Sequence, residues 1–422
     1  MKKKSGLLII LFSILITYIF WIFIKPTRNI PVISEYSQLL ASFALVTLAW
    51  INFISTRHKI LDNIFDGLDK SYIYHKYISI TMLVMVILHN ETIGIGKSQE
   101  ILAGGTIPKD PYAMYGTFSL YLFVLLIAVA LLAKKLNYER WKVIHKFMII
   151  PYVFGIYHYY GSSNYAAFSI NAFSIWLNII NIIGITSAIY SIFFYETTSF
   201  KYHYRISSLV AVANGTLEIT GNALGTSLNF KPGQFAFLKV SGSETKFSSH
   251  PFTISEAPKD GELQFTIKAL GDHTNALLKS LKIGSEFVVS GAHGKFNYKT
   301  GVKNQIWIAG GVGITPFRSF TQAVTLGDHS IDFFYAYNNE ADGAYTDELE
   351  FLTQSDNIRL HLFNAKENGF LSVDEITKHI KTKDPIDVYF CGPKPMRESL
   401  RKQFASSNLN IVHFHYEQFQ FK

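Results

Sequence analysis

The chain has 422 residues, enough for two or three domains. Hydrophobic residues make up 49% of it, with 35 Phe and 24 Tyr, a share that few ordinary soluble proteins reach and that puts a membrane class first. The net charge of +8 reads as lysines flanking membrane helices rather than a nucleic-acid face, and the single cysteine, Cys391, excludes an intrachain disulfide or a thiolate metal cluster.

The apolar density is uneven. Residues 6–24 form one long apolar run, and others follow at about 36–54, 72–90, 116–133, 143–160 and 170–194. Each is near the roughly 20 residues that cross a bilayer as helix, so the pattern predicts a six-helix transmembrane bundle over 1–199. The start, MKKKSGLLII, has a signal-like basic end, but no small-residue cleavage site follows, and it reads as a retained first helix. Lysines and arginines orient the bundle. With the N-terminus inside, the inner segments contain Lys2, Lys3, Lys4, Arg57, Lys59, Lys70, Lys134, Lys135, Arg140 and Lys142, whereas the outer ones hold only Lys25, Arg28, Lys97 and Lys109. Six crossings return the chain to the cytoplasm, so the protein is expected in the plasma membrane with both its N-terminus and its second half cytoplasmic. Beyond Phe200, short β-like stretches alternate with Gly, Asn and Asp turns and read as soluble. No internal repeat interrupts either half.

Four of the 14 histidines fall in the third and fifth spans, which run in the same direction. His75 and His145 lie toward the cytoplasmic side, His89 and His158 toward the outer side. Buried polar groups in a membrane face a partner or a pathway, and an imidazole from each of two helices can fill both axial positions of a haem iron. The four are therefore predicted as metal ligands for two b-type haems, stacked about 21 Å apart along the helix. A 14-residue step returns His89 to within about 40° of the face of His75, but the 13-residue step from His145 to His158 leaves about 140° on a regular helix. Pro151 and Gly155 lie between them, so a distortion near 151–155 is expected to bring both rings round. Single interhelical hydrogen bonds would also explain any one of these histidines. His58 and His203 have no such pairing.

The second half carries KPGQFAFLKV (231–240), HPFTIS (250–255), FTIKALGDHT (265–274), SGAHGKF (290–296), IWIAGGVGITPF (306–317) and VYFCGPKPM (388–396). In IWIAGGVGITPF a strand runs into Gly310, Gly311 and Gly313 and then a helix start at Thr315–Pro316, a pattern that lets a backbone approach a pyrophosphate. The spacing differs from G-x-G-x-x-G, so alone it fits a simple tight turn equally well.

The order of these stretches resembles the ferredoxin–NADP reductase superfamily: an antiparallel β-barrel FAD domain (200–299) followed by an α/β NAD(P)H domain (300–422). The resemblance implies that His250, Pro251, Phe252, Thr253 and Ile254 line the flavin, and that Lys268, Gly271 and Thr274 hold its pyrophosphate. It further implies that Gly310, Gly311, Gly313, Ile314, Thr315 and Pro316, with Cys391, Gly392 and Pro393, bind the nicotinamide nucleotide. In the terminal HYEQFQFK, Phe419 matches the aromatic that covers the flavin, with Phe421 second; Phe419, Thr253 and Cys391 are the implied catalytic residues. Joined to six helices with paired histidines, the whole chain resembles the NADPH oxidase and ferric reductase superfamily, and looks most like its bacterial NADPH oxidases. The implied activity is an NAD(P)H oxidase that passes electrons from cytoplasmic NADPH through FAD and two haems to dioxygen outside, forming superoxide. Asn338 and Asn339 stand where NADPH-preferring relatives often place an arginine; Lys366 or Lys394 could hold the 2′-phosphate, or NADH could serve as well. The alternatives are a ferric chelate reductase, for which the outer loop 91–114 offers no evident metal-capturing cluster, and an electron-feeding subunit for an outer protein. The expected partners are dioxygen and the bilayer, with no nucleic acid and no obligatory protein partner.

Overall fold

The computed structural model describes residues 5–26, 29–132, 138–165, 167–240, 249–325, 327, 329–354 and 357–417. The chain divides into two compact units between residues 197 and 198.

The first unit is helical: α1 (Ser5–Ile22), α2 (Val32–Ser55), α3 (Ile60–Phe65), α4 (Leu68–Leu102), α5 (Ala113–Leu131), α6 (Tyr138–Lys146), α7 (Ile149–Ser162), α8 (Ala172–Ile189), then a π-helical turn (Tyr190–Phe194) and α9 (Tyr195–Thr198). Hydroxyls inside these helices bond back to their own carbonyls, as Ser79 does to His75 and Thr92 to Leu88, so few polar groups need water. Five stretches among the described residues are long and apolar enough to cross a membrane: α1, α2, α4, α5 and the stretch from Ala172 to Thr198. The fifth expected span, 143–160, is not among them: it is interrupted, as expected, and splits into α6 and α7.

Pro151 explains the split. A proline cannot donate to the carbonyl four residues back and its ring clashes there, and that carbonyl belongs to Phe147. The break falls at Phe147–Met148, not at 151–155 as expected. Around it the bonds become i→i−3: Phe147 N to Ile144 O, Met148 N to His145 O and Ile150 N to Phe147 O, each 3.0–3.1 Å. Such tight turns advance about 120° per residue rather than about 100°, in the direction that closes the angular gap between His145 and His158. Gly155 plays no part in the distortion. It lies within regular helix, where an added Cβ would meet the Ser119 hydroxyl at 3.2 Å, and it lets α5 and α7 approach.

The outer segment expected as a loop over 91–114 is largely helical. α4 continues for 35 residues, about 52 Å, well beyond a hydrocarbon core of about 30 Å, so most of 91–114 is helix rather than loop.

The second unit begins with β1 (Tyr202–Ala213), β2 (Thr216–Ala223), β3 (Phe235–Val240), β4 (His250–Thr253), β5 (Glu262–Lys268), α10 (Asp272–Ser280) and β6 (Glu286–His293). The strands form one antiparallel sheet in the order β4-β3-β6-β1-β2-β5. An antiparallel bridge between Ile254 and Phe265 joins the two edges and closes the sheet into a barrel around Tyr204, Phe265 and Phe287. The rest is α/β: β7 (Asn304–Gly310), α11 (Thr315–Ala323), β8 (Ser330–Tyr337), α12 (Thr346–Leu352), β9 (Ile358–Asn364), α13 (Ala365–Asn368), α14 (Val373–His379), β10 (Ile386–Cys391), α15 (Lys394–Ser406) and β11 (Ile411–Tyr416). Its parallel sheet has the order β11-β10-β7-β8-β9, so the direction of strand succession reverses between β7 and β10. In open α/β sheets ligands bind at that switch point, beyond the carboxyl ends of the strands.

Candidate electron-transfer sites

In the helical unit α4 packs along α2, and α7 along α5, whereas α4 makes no extensive backbone approach to α6 or α7. Across this slot the His75 and His145 rings face at 6.0 Å and the His89 and His158 rings at 6.2 Å, centroid to centroid. Two metal–imidazole bonds of about 2 Å, plus about 1.1 Å from each nitrogen to its ring centre, would separate two centroids by about 6.2 Å. Both pairs therefore have the spacing of a single iron held between them, and the residues fit two haems.

The rings are also oriented. His89 Nδ1 lies 2.9 Å from the Ser37 carbonyl, and His158 Nδ1 lies 3.1 Å from the Tyr112 carbonyl. A carbonyl only accepts, so each Nδ1 carries its hydrogen and Nε2 is the nitrogen left to face a metal. Ser37 Oγ and Ser162 Oγ lie 2.9 and 3.0 Å from the same nitrogens. In the other pair, His145 stacks on Trp141, one turn earlier, at 4.9 Å and 17°, and its buried Nδ1 has no hydrogen-bond partner among the described residues. A Cβ on Gly116 would sit 2.9 Å from His158 Nε2, so only glycine lets that ring lie close against α5. None of Ser37, Tyr112, Gly116 and Trp141 was singled out from the sequence. Two act through main-chain carbonyls, which carry no residue signature.

In the second unit the HPFTIS stretch forms β4 at the barrel edge and the bridge beyond it. His250 pairs with Leu238 and Thr253 with Phe235, and Pro251 and Phe252 lie between; Ile254 is fully buried. His250 stacks on His273 at 3.5 Å, and burial pulls the His273 imidazole down to about 4, so it stays neutral. Thr274 Oγ1 accepts from the Leu270 and Gly271 amides at 2.9 and 3.1 Å and closes the start of α10. A pyrophosphate there could take over those two donors, and an added Cβ on Gly271 would meet only open space. Lys268 is paired with Asp342 at 3.3 Å.

At the switch point the two glycine loops touch. A Cβ on Gly313 would come within 2.2 Å of the Cys391 carbonyl oxygen, and one on Gly310 within 2.9 Å of Pro393; Gly392 lies against Gly310. Gly311 has φ +55°, a left-handed conformation. Ile314 ends the tight turn, and Thr315 and Pro316 open α11. The loops border a cleft of about 890 Å³ that also takes in Asn338, Lys394, Arg397 and Glu417. Lys394 thus borders the cleft, while Lys366 does not; the Lys366 amide donates to the Asn338 carbonyl.

Cys391 is fully buried in the core beneath these loops, and burial, aided by nearby Glu417, pushes its thiol up, so it remains protonated. Phe419 and Phe421 lie outside the described residues. The neighbouring Glu417 is described and is informative. It is 5% exposed, its Oε2 accepts from Thr253 Oγ1 at 3.4 Å, and its amide donates to Phe390 O. It links the barrel motif to the HYEQFQFK segment, a role that its position beside the aromatics does not signal. Arg318 is a second such link. It is buried, bonds the Ser255 carbonyl, and pairs with Glu218 and Glu348 at 3.3 and 2.9 Å.

Comparison with known families matches residues 40–156 to the ferric reductase like transmembrane component, 201–306 to an FAD-binding domain and 307–402 to the oxidoreductase NAD-binding domain. Among curated proteins, the toluate 1,2-dioxygenase electron transfer component of Pseudomonas putida is 27% identical over 235 residues, covering 53% of this chain and 69% of that protein. The 2-halobenzoate 1,2-dioxygenase electron transfer component of Burkholderia cepacia is 28% identical over 206 residues, covering 46% and 60%. Among solved structures, ferredoxin-NADP+ reductase from Plasmodium falciparum aligns at 21% identity over 51% of this chain and 95% of that one, with a TM-score of 0.41. The chain is a membrane oxidoreductase with the domain architecture of the NADPH oxidase and ferric reductase superfamily: a ferric-reductase-like transmembrane component, then FAD- and NAD-binding domains.

Proposed function

We propose that the protein is a transmembrane NAD(P)H oxidase that carries electrons from a cytoplasmic nicotinamide nucleotide to dioxygen on the outer side and releases superoxide. The observation that carries this reading is the pair of histidine couples at 6.0 and 6.2 Å, with partners set 14 residues apart on one unbroken helix. FAD, when bound, would convert a two-electron hydride donor into a one-electron source, and haem held by His75, His145, His89 and His158 would supply single-electron transfer. The protein's part is positional. α4 and the broken α6–α7 pair hold the rings apart by the width of one iron, and the Ser37 and Tyr112 carbonyls set the outer rings' protonation. The touching glycine loops open the cleft to the nucleotide, and Thr253 and Glu417 tie β4 to the end of the chain.

Orientation rests on basic residues. Arg57, Lys59, Lys70, Arg140 and Lys142 stand at one end of the helices, against Lys97 and Lys109 at the other. The plasma membrane is the proposed location. Lys394 and Arg397 at the cleft favour NADPH over NADH.

The same architecture supports a ferric chelate reductase. Against it, the described segment between α4 and α5 holds one carboxylate, Asp110, and no histidine. The relatives' names, electron transfer components of dioxygenases, suggest a third reading, delivery to a partner protein. Purified protein in proteoliposomes separates the three. The expected result is nucleotide-dependent, superoxide-dismutase-sensitive dye reduction exceeding the anaerobic rate with a ferric chelate. A faster ferric rate establishes the reductase, and no rate with either acceptor points to a protein partner. At least a tenfold preference for NADH in the same assay overturns the NADPH assignment.

A further inference from the structure

A cluster that electron transfer does not use lies at the edge of the parallel sheet. β10 and β11 pair in register at Ile386 and Ile411, but the next pair is Asp387 with His413, so β11 contains one extra residue, Val412. Side chains alternate along a strand, so without this bulge His413 and His415 would point to the opposite face from Asp387. The bulge turns both imidazoles onto the carboxylate, and bulges commonly serve to re-aim side chains.

His413 Nδ1 lies 3.0 Å from Asp387 Oδ1 and His415 Nε2 lies 3.4 Å from Oδ2. One donor atom from each residue can be chosen so that all three lie within 4.8 Å of one another. The surroundings hold them in place. The Val302 amide donates to Asp387 Oδ2 at 3.1 Å, and Tyr389 stacks on His415 at 4.5 Å and 15°. Asp387 is 2% exposed, whereas the two histidine side chains are each 35% exposed, so an ion can enter from solvent.

We propose that Asp387, His413 and His415 form a binding site for a divalent transition-metal cation of the Zn²⁺ class. Two imidazoles and one carboxylate suit Zn²⁺, Ni²⁺ or Cu²⁺ over Mg²⁺ or Ca²⁺, and three protein ligands leave a position for water. The cation clamps edge strand β11 to β10, two residues before Glu417 at the cleft. Without it, Asp387 accepts hydrogen bonds from the two rings, so the same residues stay ordered in either state.

The test uses full-length protein with FAD and haem, purified without a histidine tag and stripped with chelator. Calorimetric titration with ZnCl2 at pH 7.5 is expected to show one equivalent bound. The affinity should fall at least about tenfold in His413→Gln and in His415→Gln. Zinc-edge X-ray absorption on the unmodified protein, which needs no variant, should show two imidazole ligands with the remainder oxygen. Absence of stoichiometric binding, unchanged affinity in the doubly substituted His413→Gln/His415→Gln protein, or a coordination shell lacking two imidazoles would each overturn the site.

Discussion

The two units assemble their sites by opposite means. In residues 5–197 the chemistry-bearing groups sit on helices, so position along the chain converts directly into depth and the four histidines reduce to two levels. In residues 198–417 the groups are scattered from His250 to Glu417 and meet only because a barrel closes at Ile254–Phe265 and a parallel sheet reverses order between β7 and β10. Helical spacing is local and tolerates variation elsewhere. A switch-point cleft is a tertiary object, and it fails wherever two distant backbones are pushed apart.

The sharpest test of this contrast is His89→Ala. It removes one of the four histidines proposed to hold haem and leaves the residues of the cleft unchanged. We expect electron delivery to an outer acceptor to drop to background, while nucleotide-dependent reduction of a flavin-accepting dye is retained. Equal loss of both rates would break the separation between the units.

Gly313→Ala perturbs the other side. A Cβ 2.2 Å from the Cys391 carbonyl must spread the two loops. A displacement near 1 Å at a reacting centre costs about a hundredfold, and kcat/KM for the nucleotide should fall by that order with dye as acceptor. The haem absorbance should be unaltered; a simultaneous loss of haem would show that the units are not independent.

Pro151→Ala has a smaller effect and bears on the helical unit alone. Restoring the missing donor should let α6 and α7 join, which returns the His145 and His158 rings toward the angular offset of a regular helix. Partial loss of haem, read as absorbance per FAD, is expected. Full haem content with unchanged electron paramagnetic resonance would mean that Pro151 does not set the ring geometry.

Glu256→Gln is the smallest. Burial raises the Glu256 carboxyl to about 7 despite Lys259 Nζ at 3.1 Å. Because its folded pKa is raised, the stability it contributes is fully present below about 4.5 and is lost as pH rises through about 7. His273 works in the other direction. Its folded pKa is depressed to about 4, so its contribution is present above about 6.5 and is lost as pH falls toward 4. Comparing melting temperatures of native protein and Glu256→Gln isolates the first effect. The native protein should lose a few degrees relative to the variant between pH 5 and 8, and a constant difference would refute the assignment.

Much of this protein is legible from residue order. Apolar runs located the helices apart from the break in the fifth, and the pairing of His75 with His145 and of His89 with His158 followed from counting, because a helix rises by a fixed amount per residue. The family resemblance carried by the motif order likewise anticipated a barrel followed by an α/β domain. Three things required the tertiary structure. The break at Phe147–Met148 lies four residues before the proline that causes it, since the steric conflict is with the preceding turn. The carbonyls of Ser37 and Tyr112 reach the histidines through the backbone, and the backbone is the same whatever the residue. Asp387, His413 and His415 converge only because one extra residue in β11 reverses which face its side chains take, a register choice made by strand pairing rather than by the strand alone.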